Sequence, residues 1–169
     1  MTVSKLTTNQ DLDPSRLREA FGVFPSGVIA VAARVDDVLV GLAASSFTSV
    51  SLEPALVSFS VANTSKTWPT LRQASHLGLT VLADHHDDVC RQLAGPVEHR
   101  FDGLDVSSTE QGATTIDDGL ARFDCTIYRE VEAGDHTLVL LQLHAVDQSD
   151  TSLPLVFHRR AFGRLEASA

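Results

Sequence analysis

The first twelve positions are polar and aperiodic, so they are expected to form a loose arm, and regular patterning begins at Asp13. There Asp13-Pro14-Ser15 precedes Leu17, Ala20, Phe21 and Phe24 at spacings of three and four. This pattern predicts a short amphipathic helix with Asp13 as N-cap and Pro14 at its first position. Pro25-Ser26-Gly27 stops the helix, and the residues that follow are β-branched and apolar. Val28–Val35 and Val38–Ser46 flank Asp36-Asp37, which reads as a tight hairpin. Pro54–Val61 alternates Leu56, Ser58 and Ser60 with Val57, Phe59 and Val61, the two-residue period of a strand.

Further on, Ser65–Ala74 reads as a helix that Pro69 confines to a start near Thr67, and His76–Ala83 reads as a strand. Asp84 is the expected cap of a helix running to Leu93, with acids in its first turn and Gly95-Pro96 at its end. Residues 96–119 hold little periodicity and are expected to be a long surface loop. Phe123, Cys125 and Ile127 alternate with Asp124, Thr126 and Tyr128, and Gly134-Asp135 turns that strand into a second over Thr137–Asp147. Pro154–His158 and Ala161–Leu165 close the chain as short strands. Seven or eight strands in hairpin order, with few helices, predict a mainly β fold built as an antiparallel barrel with a few short flanking helices. Residues 13–169 are expected to form one domain.

Composition narrows the function. A chain of 169 residues buries roughly 70% of its unfolded surface and needs no disulfide or structural metal to make a core. Its formal charge of −9, with 13 basic against 22 acidic side chains, argues against nucleic acid and anionic membranes as partners. Cys90 and Cys125 form no CxxC pair, the N-terminus lacks the apolar stretch of a signal peptide, and no apolar run reaches the ~20 residues that span a bilayer. A cytoplasmic protein is expected.

The usual nucleotide and nucleophile signatures are absent: there is no GxGxxG, GxxxxGK[ST] or GxSxG. The adjacent pair His85-His86 reads as a solvated helix start, and no metal is expected. Cys125, in register with Phe123 and Ile127, reads as a buried apolar thiol, and Cys90 as a helix-face residue. Two segments carry more. Gly41-Leu42-Ala43-Ala44-Ser45-Ser46-Phe47-Thr48-Ser49 starts within an apolar strand and turns small and hydroxyl-rich, either a serine-rich turn or a wall low enough for a flat ligand. Asn63-Thr64-Ser65-Lys66-Thr67 sets hydroxyls and a cation at a helix start, either a plain cap or a phosphate site.

Taken in order, FGVFPSGVIAVAA (21–33), GLAASSFTSVSLEPALV (41–57), NTSKTW (63–68), HRF (99–101), GDH (134–136) and PLVFHRRAFGRL (154–165) resemble the flavin reductase family. The resemblance is nearest to the NAD(P)H:flavin oxidoreductase components of two-component flavin-dependent monooxygenases. It implies an antiparallel Greek-key split β-barrel, a homodimer, FMN or FAD as cofactor, and NADH or NADPH as hydride donor. Carried over residue by residue, it places Ala43, Ala44, Ser45, Ser46 and Phe47 beside the flavin. Thr64, Ser65 and Lys66 would lie on its phosphate side, with Arg100 and Phe101 on a second flavin-side segment. Ser49, Phe157, His158, Arg159 and Arg160 would face the nicotinamide nucleotide. His136 is the implied catalytic residue; read from the sequence alone it is a turn histidine at a strand end.

In the chemistry this resemblance implies, the cofactors supply the reactive atoms and the protein supplies orientation, so no acid–base dyad is required. The implied partner is a flavin-dependent oxygenase that receives reduced flavin. The competing reading is a non-catalytic flavin- or haem-binding split-barrel protein, and an enzyme using a deazaflavin or a purely structural subunit are further alternatives.

Overall fold

The structure, a computed structural model, describes residues 12–165, so the expected N-terminal arm lies almost wholly outside the described residues. Helix α1 (Pro14–Phe21) starts as its sequence dictates: the Asp13 carboxylate accepts from the backbone N–H groups of Ser15 and Arg16. The short β1 (Ser26–Gly27) follows, then the hairpin of β2 (Ile29–Val35) and β3 (Val38–Ala44). Val35 pairs with Val38, and both turn residues, Asp36 and Asp37, take positive φ, the two-residue loop that matches strand twist.

β4 (Thr48–Leu52) and β5 (Ala55–Ala62) form the next hairpin, followed by the single turn of α2 (Trp68–Leu71) and by β6 (Leu77–Val81). Helix α3 (Asp87–Leu93) precedes a 3-10 turn at Val97–His99 and a small hairpin, β7 (Val106–Ser108) with β8 (Ala113–Ile116). The long ribbon β9 (Ala121–Ala133) and β10 (His136–Gln148) comes next, and β11 (Leu155–His158) and β12 (Ala161–Arg164) end the described chain.

All strand pairs are antiparallel. Following the ladder from β3 gives β3-β2-β6-β9-β10-β5, with β4 beyond β5. Alternate residues of these strands bury into one cluster: Ile29 and Val31 of β2, Val57 and Phe59 of β5, Leu77 and Leu79 of β6, Val139 and Leu141 of β10, and Cys125 of β9. Several strands turning the same parity of side chain to one core make a curled sheet. No main-chain ladder joins β3 to β5, so the barrel is split along that seam. One side chain spans it: the Ser46 hydroxyl accepts from Ser60 N–H at 2.8 Å and lies 3.2 Å from Ser60 O, standing where a strand partner would.

A second cluster covers the outer face of β2 and β3, drawing Leu82, Leu93, Ile116 and Leu155 onto Val28 and Ala30. The sheet of β1, β11 and β12 closes this side. Three expectations need correction. Residues 96–119 are not one loop, because β8 pairs with Ala32 and Ala33 of β2 where β6 leaves that edge open. The serine-rich stretch after Phe47 is a strand, since Ser49 and Ser51 pair with Val57 and Leu56. Helix α3 is capped by His86, not Asp84; Asp84 instead donates its N–H to Leu153 O. No helix among the described residues is long and apolar enough to cross a membrane.

Candidate functional site

The open seam widens at one end into a groove of about 680 Å³. One wall is the end of β3, running through Leu42, Ala43, Ala44, Ser45 and Ser46. The other is β5 with the loop after it, from Ser60, Val61 and Ala62 to Thr64, Ser65, Lys66 and Thr67. Leu93, Ala94, Val97 and Arg100 bound it on the α3 side, and His136 bounds it at the start of β10.

These segments meet through long-range hydrogen bonds. Asn63 receives the Thr137 hydroxyl on its side-chain oxygen at 2.9 Å and donates its amide nitrogen to Gly134 O at 3.1 Å. Its backbone N–H donates to Asp135 O. The 63–67 loop is thereby tied to the turn that carries His136. Within that turn the His136 Nδ1 lies 2.7 Å from Asp135 Oδ1. That hydrogen bond holds the Asp135 carboxyl below the usual carboxylate range. Arg100 ties the other walls: its guanidinium donates to Gly41 O, to the Thr67 hydroxyl and to Gly95 O, at 2.8, 2.8 and 3.0 Å.

Those bonds sort the residues expected at the site. Ala43, Ala44, Ser45, Ser46, Thr64, Ser65, Lys66, Arg100 and His136 all line the groove. Two of their hydroxyls are spent on the fold: Ser46 bridges the seam, and the Ser65 oxygen accepts from Trp68 N–H at the start of α2. Arg100 serves as a staple. Among the described residues Lys66 has no ion-pair partner, which leaves an exposed ammonium at the groove in a chain with 22 acids. Helix α2 is a single turn, so anion chemistry here rests on that ammonium and the Thr64 hydroxyl rather than on a helix dipole.

The remaining expected residues lie outside the groove. Phe47 packs against the barrel core, Ser49 is exposed on β4, and Phe101 packs in the outer cluster, where Gly41 leaves room for its ring. Phe157 lines a smaller apolar slot that shares Ala43, Ala44, Ser45 and Ala94 with the groove. Arg159 and Arg160 line a separate cavity beside α1, and His158 is exposed at the end of β11. Sequence reading missed Ser60 and Ala62. Their signal was visible as small side chains at alternate positions of a strand whose other face is Val57, Phe59 and Val61.

His85, His86 and Asp118 offer ligand atoms within 4.8 Å of one another. The geometry makes this a hydrogen-bond network. His86 Nδ1 accepts the Ala83 N–H at 3.0 Å, so its neutral ring carries the proton on Nε2 and donates it to Asp118 at 2.8 Å. A metal on Nε2 would displace that proton and orphan the Ala83 amide. Cys125 is fully buried, with its thiol pushed up to about 12 by burial, and burial also raises Cys90 on α3.

Compared with known proteins, residues 21–166 match the flavin reductase like domain. A flavin reductase of Pseudomonas putida is 34% identical over 157 residues, covering 92% of both chains. The reductase component of a flavin-dependent trigonelline monooxygenase from Acinetobacter baylyi is 42% identical over 125 residues, covering 73% of this chain and 40% of that protein. Among solved structures, the NADH:FAD oxidoreductase of Streptomyces globisporus superposes with a TM-score of 0.88 at 30% identity, covering 98% of this chain and 99% of that one. That protein has also been solved in complex with NAD and FAD fragments.

Proposed function

The chain belongs to the flavin reductase-like domain family, and on that premise we propose that it is a NAD(P)H-dependent flavin reductase whose reduced product feeds a flavin-dependent oxygenase. The observation that carries this reading is the groove along the open seam, walled by small side chains on β3 and by Lys66 opposite. Its volume falls in the range of small-molecule sites, and its donor set, one ammonium with neighbouring hydroxyls beside a low apolar wall, fits a planar ring with an anionic tail.

When bound, the flavin supplies the acceptor for a hydride delivered from the nicotinamide ring. The residues of this chain provide position. Ala43, Ala44 and Ser45 keep the β3 wall low, so two stacked rings can approach to roughly 3–3.5 Å. Lys66 and the Thr64 hydroxyl face the phosphate, and Arg100 holds the three walls at fixed separation. Asp135 orients the His136 ring at the end of the groove where the hydride donor enters. Ser45, Thr64, Lys66 and Ala94 are exposed at the rim, which suits a cofactor that must leave for a second protein.

The activity resides in one domain over residues 13–169, acting as a homodimer in the cytoplasm. The dimer is supported by the bare apolar side chains of Phe21 and Phe24, and the compartment by two unpaired cysteines. Anaerobic mixing with FMN or FAD and reduced nicotinamide tests the function through loss of oxidised flavin absorbance. Ser45→Trp fills the groove without touching the seam bond of Ser46, and turnover should drop at least tenfold with unchanged circular dichroism and melting temperature. Undiminished turnover would remove the flavin from this wall.

A further inference from the structure

The last ladder pair of β5 and β10 is Ala62 with His136. Beyond it the two chains diverge, one into the loop that carries Thr64 and Lys66, the other into the Gly134-Asp135 turn from β9. Backbone past the end of a ladder frays unless something else holds it, and the spacing of Lys66 from His136 would then vary. Asn63 closes this fork. Its backbone N–H donates to Asp135 O at 3.0 Å, one rung beyond the ladder. Its side-chain amide grips the turn on both sides of His136: Nδ2 donates to Gly134 O at 3.1 Å, and Oδ1 accepts the Thr137 hydroxyl at 2.9 Å. Gly134 O can only accept, so the amide has one orientation and both of its ends are used.

The far end of the loop is fastened to the same ribbon. The Trp68 indole N–H donates to Glu130 Oε1 at 2.9 Å, and Arg72 pairs with the other oxygen of that carboxylate. Glu130 lies on β9, opposite Val139 of β10. The stretch from Thr64 to Thr67 therefore hangs between two anchors on the ribbon whose turn leads into His136.

Neither Asn63 nor Thr137 is among the residues that line the groove, so each acts on it through others. Resting on the reductase reading, we propose that Asn63, seated by the Thr137 hydroxyl, is a positioning residue that fixes the Lys66 ammonium relative to the His136 ring. A flavin held by its phosphate then presents its ring system to the hydride donor in one place. A flavin that lacks the phosphate gains nothing from this link.

The test compares FMN with riboflavin, the same ring without the phosphate, in the parent and in Asn63→Ala, Thr137→Val and Thr137→Ser. Valine keeps the shape of threonine without its hydroxyl, and serine keeps the hydroxyl. Affinity is read by quenching of flavin fluorescence, and turnover by anaerobic loss of oxidised flavin absorbance with NADH or NADPH. The parent should bind FMN more tightly than riboflavin and reduce it with a higher kcat/KM. Asn63→Ala and Thr137→Val should each lower FMN affinity and kcat/KM about tenfold and leave both values for riboflavin unchanged, while Thr137→Ser keeps the parental values. Combined with Lys66→Gln, Asn63→Ala should have no further effect on FMN, because the group it positions is gone. Equal losses with the two flavins would show a general structural role and overturn the proposal. An undiminished preference for FMN in the variants, no such preference in the parent, or additive losses in the double variant would also overturn it. If Asn63→Ala does not fold, the pair of Thr137 variants decides. A parent that binds both flavins but oxidises neither donor refutes the reductase reading alone, and the affinities still decide the role of Asn63.

Discussion

His86 is 3% exposed and commits both ring nitrogens, Nδ1 to the Ala83 N–H and Nε2 to Asp118, so only the neutral ring fits. Burial pushes its pKa down against the pull of the Asp118 carboxylate. An unfolded chain therefore takes up this proton first as pH falls below about 6.5, and the native state takes it up only at lower pH. Stability gained from His86 is present above that value and drains away as pH falls toward the folded pKa. The melting temperature should drop between about pH 7 and about pH 5, and His86→Gln, whose amide oxygen can still receive the Ala83 N–H, should flatten that slope. Parallel slopes would show that the ring titrates equally in both states. Ser46 and Arg100 teach the same lesson from the site: each has the chemistry of a ligand contact, and each is engaged by the protein's own backbone. Residue type was legible from sequence at both positions, but Ser60 N–H, which Ser46 receives, and Gly41 O, which Arg100 reaches, lie 14 and 59 residues away in the chain.

Among the elements, sequence reading lost β4, β7 and β8, and β8 shows the reason best. It is four residues long, too short for alternation to stand out, and its Thr114 and Thr115 carry no apolar period. What makes it a strand is the edge of β2 beyond the reach of β6, together with Gly78 of β6, where an added Cβ would fall 2.0 Å from Thr114 O. Gly78→Ala should therefore cost on the order of 1–3 kcal/mol in urea unfolding, because the obstacle is backbone that cannot rotate away. Parental stability in that variant would mean that β8 does not need this close approach. The long hairpin of β9 and β10 and that of β2 and β3 were readable because each joins neighbours in sequence through a two-residue turn with positive φ, at Gly134 in the first and at Asp36 and Asp37 in the second. Helix α3 shows how far local rules carry: acids in its first turn were readable, while its cap shifted because Asp84 is held by Leu153 from the far end of the chain.

At the scale of the whole molecule, α1 contributes no buried residue, and Phe21 and Phe24 remain 69% and 78% exposed. An apolar face on a capped helix calls for a covering surface, and the proposed homodimer supplies one. Replacing Phe21 and Phe24 with Glu should convert a dimer into a monomer by light scattering coupled to size exclusion; a monomeric parent would refute the dimer. By itself the sequence determined the long hairpin strands, the first helix and the small-residue wall at Ala43–Ser46, since side-chain direction in an extended chain repeats every two residues and is a local property. Only the tertiary structure decided where the barrel splits, that Ser60 and Ala62 line the same groove as Ala44, and that the donors of Arg100 are taken up by Gly41, Thr67 and Gly95. Those outcomes depend on pairings such as β5 with β10, more than 70 residues apart at His136 and Ala62. Such contacts form only when the whole sheet closes its long loops at once, and no local periodicity encodes that step.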